Sequence, residues 1–116
     1  MNNDYRRLLD IQEAIERIGK YAEKGKEEFK EDELIQTWIV HHLQIIGEAV
    51  GRLTDDLKAC YPEIPWRKIR GMRNILVHDY FGIDLEIVWR VIEVELPDLK
   101  RNINHMIDKE KSSQEK

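Results

Sequence analysis

Residues 33–59 read ELIQTWIVHHLQIIGEAVGRLTDDLKA, and their spacing decides the fold class. Leu34, Trp38, Ile45, Ala49, Leu53 and Leu57 recur at intervals of four or seven, the repeat of one face of an α-helix. Ile35, Ile39, Ile46 and Val50 add a second apolar row beside the first. A strand would instead alternate with a period of two. The spacing predicts one helix over Glu33–Ala59, with a stripe wide enough to meet more than one partner surface. Gly47 and Gly51 lie four apart and allow another helix to approach closely, although each weakens the helix itself.

The same period extends outward in both directions. Leu8, Ile11, Ile15, Ile18 and Ala22 step by three or four, predicting a first helix over Asp4–Ala22 with Asn2 or Asn3 as its cap and Gly25 as its stop. The charge-rich residues 23–33 read as a solvated connection. On the other side, Tyr61-Pro62-Glu63-Ile64-Pro65 interrupts the pattern, and Pro65 suits the first turn of a third helix running to Tyr80. Trp66, Ile69, Met72 and Leu76 form its inward row, and Gly82 ends it. Asp84 is the expected N-cap of a fourth helix carrying Leu85, Val88, Trp89 and Ile92. Pro97 predicts a bend or break near Glu95–Leu96, beyond which Leu99, Ile103 and Met106 continue the stripe. With no alternating segment and no hairpin signal, the fold class is all-α, an up-down bundle of four to five helices with short connections. The expected organisation is a single domain over residues 1–110 and a polar, frayed tail over 111–116.

Composition agrees with this class. Of 116 residues, 41% are hydrophobic and 36% charged, while six glycines and three prolines are too few for a loop-rich β-sandwich. A formal charge of −4 argues against a protein that coats nucleic acid through bulk positive charge, yet leaves room for a local basic cleft. Cys60 is alone, so no internal disulfide and no cysteine-rich metal cage can form. The Met-Asn-Asn-Asp start lacks the basic and apolar regions of a signal peptide, and no apolar run reaches membrane-spanning length. Cytoplasmic residence without membrane attachment is the expectation.

The chemically informative stretch is Arg67-Lys68-Ile69-Arg70-Gly71-Met72-Arg73-Asn74-Ile75-Leu76-Val77-His78-Asp79-Tyr80. Four cations fall within seven residues of an acidic chain, which marks either an anion site or merely a soluble outer face. Asn74 and His78, four apart, share a helix face. Arg73, five before His78, is turned about 140° from it at ~100° per residue. One copy therefore does not aim both side chains at the same atom, whereas two copies meeting along a two-fold axis can.

Arg73-Asn74-x-x-x-His78-x-Tyr80 resembles the R-x4-H-x-Y motif of HepT-like proteins in the HEPN superfamily of ribonucleases. The likeness extends to Ile-Gly-Glu-Ala at Ile46–Ala49 and to Tyr-Pro-Glu-Ile-Pro-Trp-Arg at Tyr61–Arg67. It implies the toxin of a toxin–antitoxin pair, a homodimer that cuts RNA without a metal or other cofactor. In that implied site His78 is the general acid/base, Arg73 steadies the phosphate and Asn74 supports them. Arg67, Lys68 and Arg70 are the candidate RNA-binding cations. The resemblance further implies a minimal nucleotidyltransferase antitoxin as partner, with Tyr80 as the acceptor of AMP. The alternative is a non-catalytic helical module that binds such a transferase or a nucleotide.

The remaining polar residues read more plainly. His41 and His42 are adjacent on a helix, so their side chains diverge and make no ready chelate. Glu48 either pairs with an arginine of the third helix or faces solvent. Trp38, Trp66 and Trp89 sit at helical spacing and are expected in packing, in the core or between subunits. Cys60 has no evident activating neighbour.

Overall fold

The computed structural model describes residues 3–75 and 84–114. Four rods dominate: α1 (Asp4–Ala22), α3 (Glu33–Arg52), a third formed by α5 (Trp66–Arg70) and α6 (Met72–Ile75), and a fourth formed by α7 (Leu85–Arg90), a π-helical turn (Val91–Glu95) and α8 (Leu96–Gln114). Short helices α2 (Lys26–Glu31) and α4 (Asp55–Ala59) join them, and no strand occurs among the described residues. This is the all-α bundle expected from the periodicity.

The first helix covers the predicted Asp4–Ala22. It runs antiparallel to α3, because Asp4 meets Thr54 at one end while Trp38 Nε1 donates to the Arg17 carbonyl at the other. Leu8, Ile11 and Ile18 from α1, Ile39, Leu43, Ile46 and Val50 from α3, and Ile103 and Met106 from α8 form the fully buried centre. Each such side chain contributes about 1.5–3 kcal/mol through removal from water. Of the two apolar rows on α3, the one containing Ile35, Ile39, Ile46 and Val50 fills the core. The other row is buried at Ala49, Leu53 and Leu57 and half-buried at Trp38 and Ile45, while Leu34 stands 82% exposed.

Three expectations are corrected. The predicted helix over Glu33–Ala59 stops at Arg52, and Thr54, in an extended conformation, starts α4 by accepting a hydrogen bond from the Leu57 amide. Asp4 stabilises this break: its buried carboxylate accepts from both the Thr54 amide and the Thr54 hydroxyl. The charge-rich connection is also not wholly solvated. Phe29 of α2 is fully buried against Trp89, with ring centroids 5.4 Å apart, and Lys26 and Lys30 both pair with Glu86 of α7. Finally, the third helix is divided at Gly71 into α5 and α6, while its expected continuation to Tyr80 and its stop at Gly82 lie outside the described residues.

Asp84 caps α7 as expected, accepting from the Glu86 and Ile87 amides. The irregularity expected near Pro97 takes the form of a wide turn rather than a break. Pro97 has no amide hydrogen, and in a regular helix its ring would collide with the Glu93 carbonyl. The preceding backbone widens instead, so that the Leu96 amide bonds to the Val91 carbonyl five residues back.

Candidate functional site

The site is built where the 66–75 arm crosses α3. Trp66 anchors the start of the arm by donating from Nε1 to the carbonyls of Lys58 and Tyr61. Ile69 and Met72 are buried and hold its inner face. Gly47 then sets how closely the two backbones approach. A Cβ placed there would lie 2.7 Å from the Arg73 amide nitrogen and 3.0 Å from both the Arg70 carbonyl oxygen and the Arg73 Cβ. Only a hydrogen fits, as the Gly47/Gly51 spacing suggested.

Arg73 consequently leaves the arm beside Glu48, the residue after Gly47. One guanidinium nitrogen of Arg73 lies 3.0 Å from Glu48 Oε2, and Glu48 Oε1 lies 3.4 Å from Arg52 one turn further along α3. Of the two readings of Glu48, pairing with an arginine of the third helix is the observed one. All three side chains are about half exposed, and such pairs add little to stability, about 0–1 kcal/mol. The physical effect is orientation: one carboxylate fixes two guanidinium forks and leaves their remaining N–H donors open to solvent.

Arg73 and Glu48 stand in the wall of a groove of about 620 Å³ between α1 and α3. Arg7, Arg17, His41 and Arg52 share that wall. The groove is broken up by carboxylates: Arg17 pairs with Glu13, and Arg7 lies 3.8 Å from Asp10. It is a cleft of mixed charge in which guanidinium groups are held apart by acids, suited to gripping a polyanion at discrete points.

The other sequence candidates are distributed unevenly. Lys68 turns away from the groove to pair with Glu95 of the π-helical turn at 2.6 Å, and Arg70 lies along Gly51. Arg67 is exposed. None of these three lines the groove with Arg73. Asn74 belongs to α6 by its backbone, and its side chain, like His78 and Tyr80, lies outside the described residues. His42 is buried, its Nδ1 2.7 Å from the Trp38 carbonyl, whereas its neighbour His41 is exposed in the groove wall. The three tryptophans pack as expected, each with its indole N–H bonded. No group of His, Cys, Asp and Glu among the described residues is arranged to hold a metal ion.

Arg7, Arg17 and Arg52 were not found by sequence reasoning, and His41 was weighed there only as a metal ligand. The four-residue step from Glu48 to Arg52 was visible, but only the antiparallel pairing of α1 with α3 places the arginines of both helices around one groove.

A family model of HepT-like ribonucleases matches residues 11–106, spanning both Glu48 and the 73–80 segment. The chain belongs to the HepT-like ribonuclease family. This HepT-like chain is 41% identical over 100 residues to a Thermococcus cleftensis protein named "Probable ribonuclease HepT", covering 85% of this chain and 89% of the relative. It is 38% identical over 85 residues to a protein of Caldanaerobacter subterraneus named as a "Putative RNase", covering 73% and 76% of the two chains. A Methanocaldococcus jannaschii protein with the same kind of name is 36% identical over 101 residues, covering 86% and 84%. No solved structure gives a significant match. Among the described residues, no helix is long and apolar enough to cross a membrane.

Proposed function

We propose that this chain is a metal-independent endoribonuclease, the toxin of a toxin–antitoxin pair, acting as a homodimer in the cytoplasm with its site shared between the two copies. The observation that carries the reading is the family match across the 73–80 segment, joined to an Arg73 guanidinium oriented by Glu48 at a groove able to take a polyanion.

The chemistry follows from the residue types. A ribose 2′-hydroxyl loses its proton to the His78 imidazole as its oxygen attacks the adjacent phosphorus, since imidazole titrates near neutral pH. The bond from phosphorus to the 5′-oxygen breaks, and that oxygen takes up a proton. Two copies supply two imidazoles, one to accept and one to donate. Charge that builds on the phosphoryl oxygens meets the fork of Arg73, with Asn74 as a supporting donor. The products are a 2′,3′-cyclic phosphate and a 5′-hydroxyl. Arg67, Lys68 and Arg70 add long-range attraction for RNA.

In the same reading, a minimal nucleotidyltransferase is the antitoxin and Tyr80 accepts AMP from it. An adenylate there places negative charge and bulk where the substrate phosphate must sit, silencing the site.

The deciding experiment compares RNA cleavage by purified wild type and His78→Ala, each with and without a chelator. Loss in His78→Ala and persistence with chelator are expected. Equal cleavage by the variant removes the catalytic assignment and leaves the interaction-module reading. Co-expression with the transferase is expected to raise the mass of the wild type by adenylate units and to leave Tyr80→Phe unchanged.

A further inference from the structure

A second cavity, of about 470 Å³, opens at the far end of α3 from Arg73, and Tyr21, Lys24, Asp32, Leu34, Trp38 and His41 are in its wall, the Asp32 carboxylate accepting from the Leu34 and Ile35 amides as the cap of α3. Its aromatic members are fixed. The Tyr21 and Trp38 rings meet edge to face at 5.4 Å, the Trp38 indole N–H is tied to the Arg17 carbonyl, and the ring packs on His42 at 4.5 Å. Leu34 supplies an apolar surface that nothing among the described residues covers, being 82% exposed. Lys24 is in the cavity wall, and the ammonium groups of Lys20 and Lys24 each lie 5.7 Å from the Tyr21 ring centre. Neither is joined by an ion pair to a described carboxylate, unlike the groove arginines. His41 lies in the walls of this cavity and of the groove containing Arg73, so the two adjoin.

Rigid aromatic rings, apolar surface and unpaired cations at the edge are what an unstacked base with its flanking phosphates requires. We infer that this cavity is a nucleobase subsite for the same RNA strand whose phosphate is held at Arg73, an inference that rests on the ribonuclease reading. Trp38 and Glu48 are separated by ten residues of α3, about 15 Å along the axis. With ~3.4 Å of axial rise per nucleotide in a stacked strand, the base lies at most about four nucleotides from the reacting linkage, and fewer in an extended strand. A second copy of this chain is the competing occupant, but a two-fold seam here would bring together four unpaired lysines and repel itself. The subsite makes the enzyme sensitive to substrate length, since a strand that ends before the cavity forgoes the stacking contact.

Binding of uncleavable 2′-O-methyl RNA separates this inference from the nuclease reading, because no catalysis is needed. A hexanucleotide and a dinucleotide are compared by fluorescence anisotropy. Trp38→Ala is expected to weaken the hexanucleotide by about fivefold or more while leaving the dinucleotide unchanged. Trp38→Phe, which keeps a stacking face, is expected to retain most of the affinity. Lys20→Glu with Lys24→Glu, on an exposed edge that folding does not need, is expected to weaken the hexanucleotide and lower the steepness of its salt dependence by roughly 1.4 in log–log slope. Unchanged hexanucleotide binding in both variants overturns the inference. So does equal weakening of both oligonucleotides, or light scattering that shows Trp38→Ala or the lysine reversal splitting a dimer.

Discussion

Gly47→Ala isolates the contact that places Arg73. The added methyl carbon has to occupy a point 2.7 Å from the Arg73 amide nitrogen and 3.0 Å from the Arg70 carbonyl oxygen, and both are backbone atoms that no side-chain rotation can clear. Either α3 and the arm separate or the arm shifts along it. Overpacking of this kind costs about 1–3 kcal/mol, while alanine in a helix gains ~1 kcal/mol over glycine. Gly19→Ala on α1 supplies the reference, since a Cβ there meets nothing within 4 Å. It carries the same helix gain without the collision. The two variants are therefore expected to differ by the steric part alone, about 1–3 kcal/mol, or a gap of at least ~3 °C in Tm for a chain of this length. Gly51→Ala is expected between them, because its nearest neighbour, at 3.3 Å, is the movable Arg70 side chain. Thermal unfolding followed by circular dichroism gives the stability order. RNA cleavage at a temperature where all variants are folded gives the positional effect, an expected loss of about tenfold for Gly47→Ala from displacement of the guanidinium. A Gly47→Ala protein as stable and as active as Gly19→Ala would refute the close-approach reasoning.

Glu48→Gln keeps the size of the side chain and removes the charge that orients Arg73. Cleavage is expected to fall by about tenfold with stability altered by less than ~1 kcal/mol, so a melting shift large enough to account for the lost activity would count against an orienting role. Asp4→Asn leaves one of the two Thr54 donors facing an amide NH2, and unfolding in denaturant is expected to show a loss of about 2 kcal/mol. The Lys30 hydrogen bond, followed by that of Lys26, lowers the pKa of Glu86, and the same contact raises that of Lys30. A lowered carboxyl stabilises the fold above its unfolded pKa and loses that contribution as pH falls through the folded value; a raised amine loses its contribution only as pH rises through its own, above the ordinary lysine range. Melting temperature against pH for wild type and Glu86→Gln should therefore run parallel from about pH 5 to 9 and converge in acid. Curves that stay parallel down to pH 2 would show that the pair does not form in solution.

What the sequence disclosed depended on whether the cause was local. The limits of α1 and the cap at Asp84 arise from neighbours within four residues, and both were readable from spacing and residue type. The break at Leu53–Thr54 was not, because Leu53 and Leu57 keep the helical period across it and the stabilising carboxylate, Asp4, lies fifty residues away. Phe29 was hidden in a run of charge whose single apolar residue sets no period. Both apolar rows were visible, but burial along them was decided by where α1 and the 66–75 arm lie, so that Ala49 and Leu53 of the second row are core while Leu34 stays exposed. The site divided in the same way. The Arg73 motif is a local pattern, whereas Glu48 stayed ambiguous until the arm crossed α3, and the groove needs two antiparallel helices to exist at all.

The wide turn at Val91–Glu95 has a consequence for how related chains align. None of its residues is buried, although the flanking Val88, Trp89, Leu96 and Leu99 all are. Val88 and Leu96, eight residues apart, would sit about 80° from each other around an uninterrupted α-helix, and deleting one residue between them would cut that to about 20°. A homologue one residue shorter in this stretch would therefore carry a straight rod and the same core, so a one-residue gap in an alignment belongs here. It would also lose the bulge that brings Glu95 to Lys68, and with it a tether on the arm that carries Arg73.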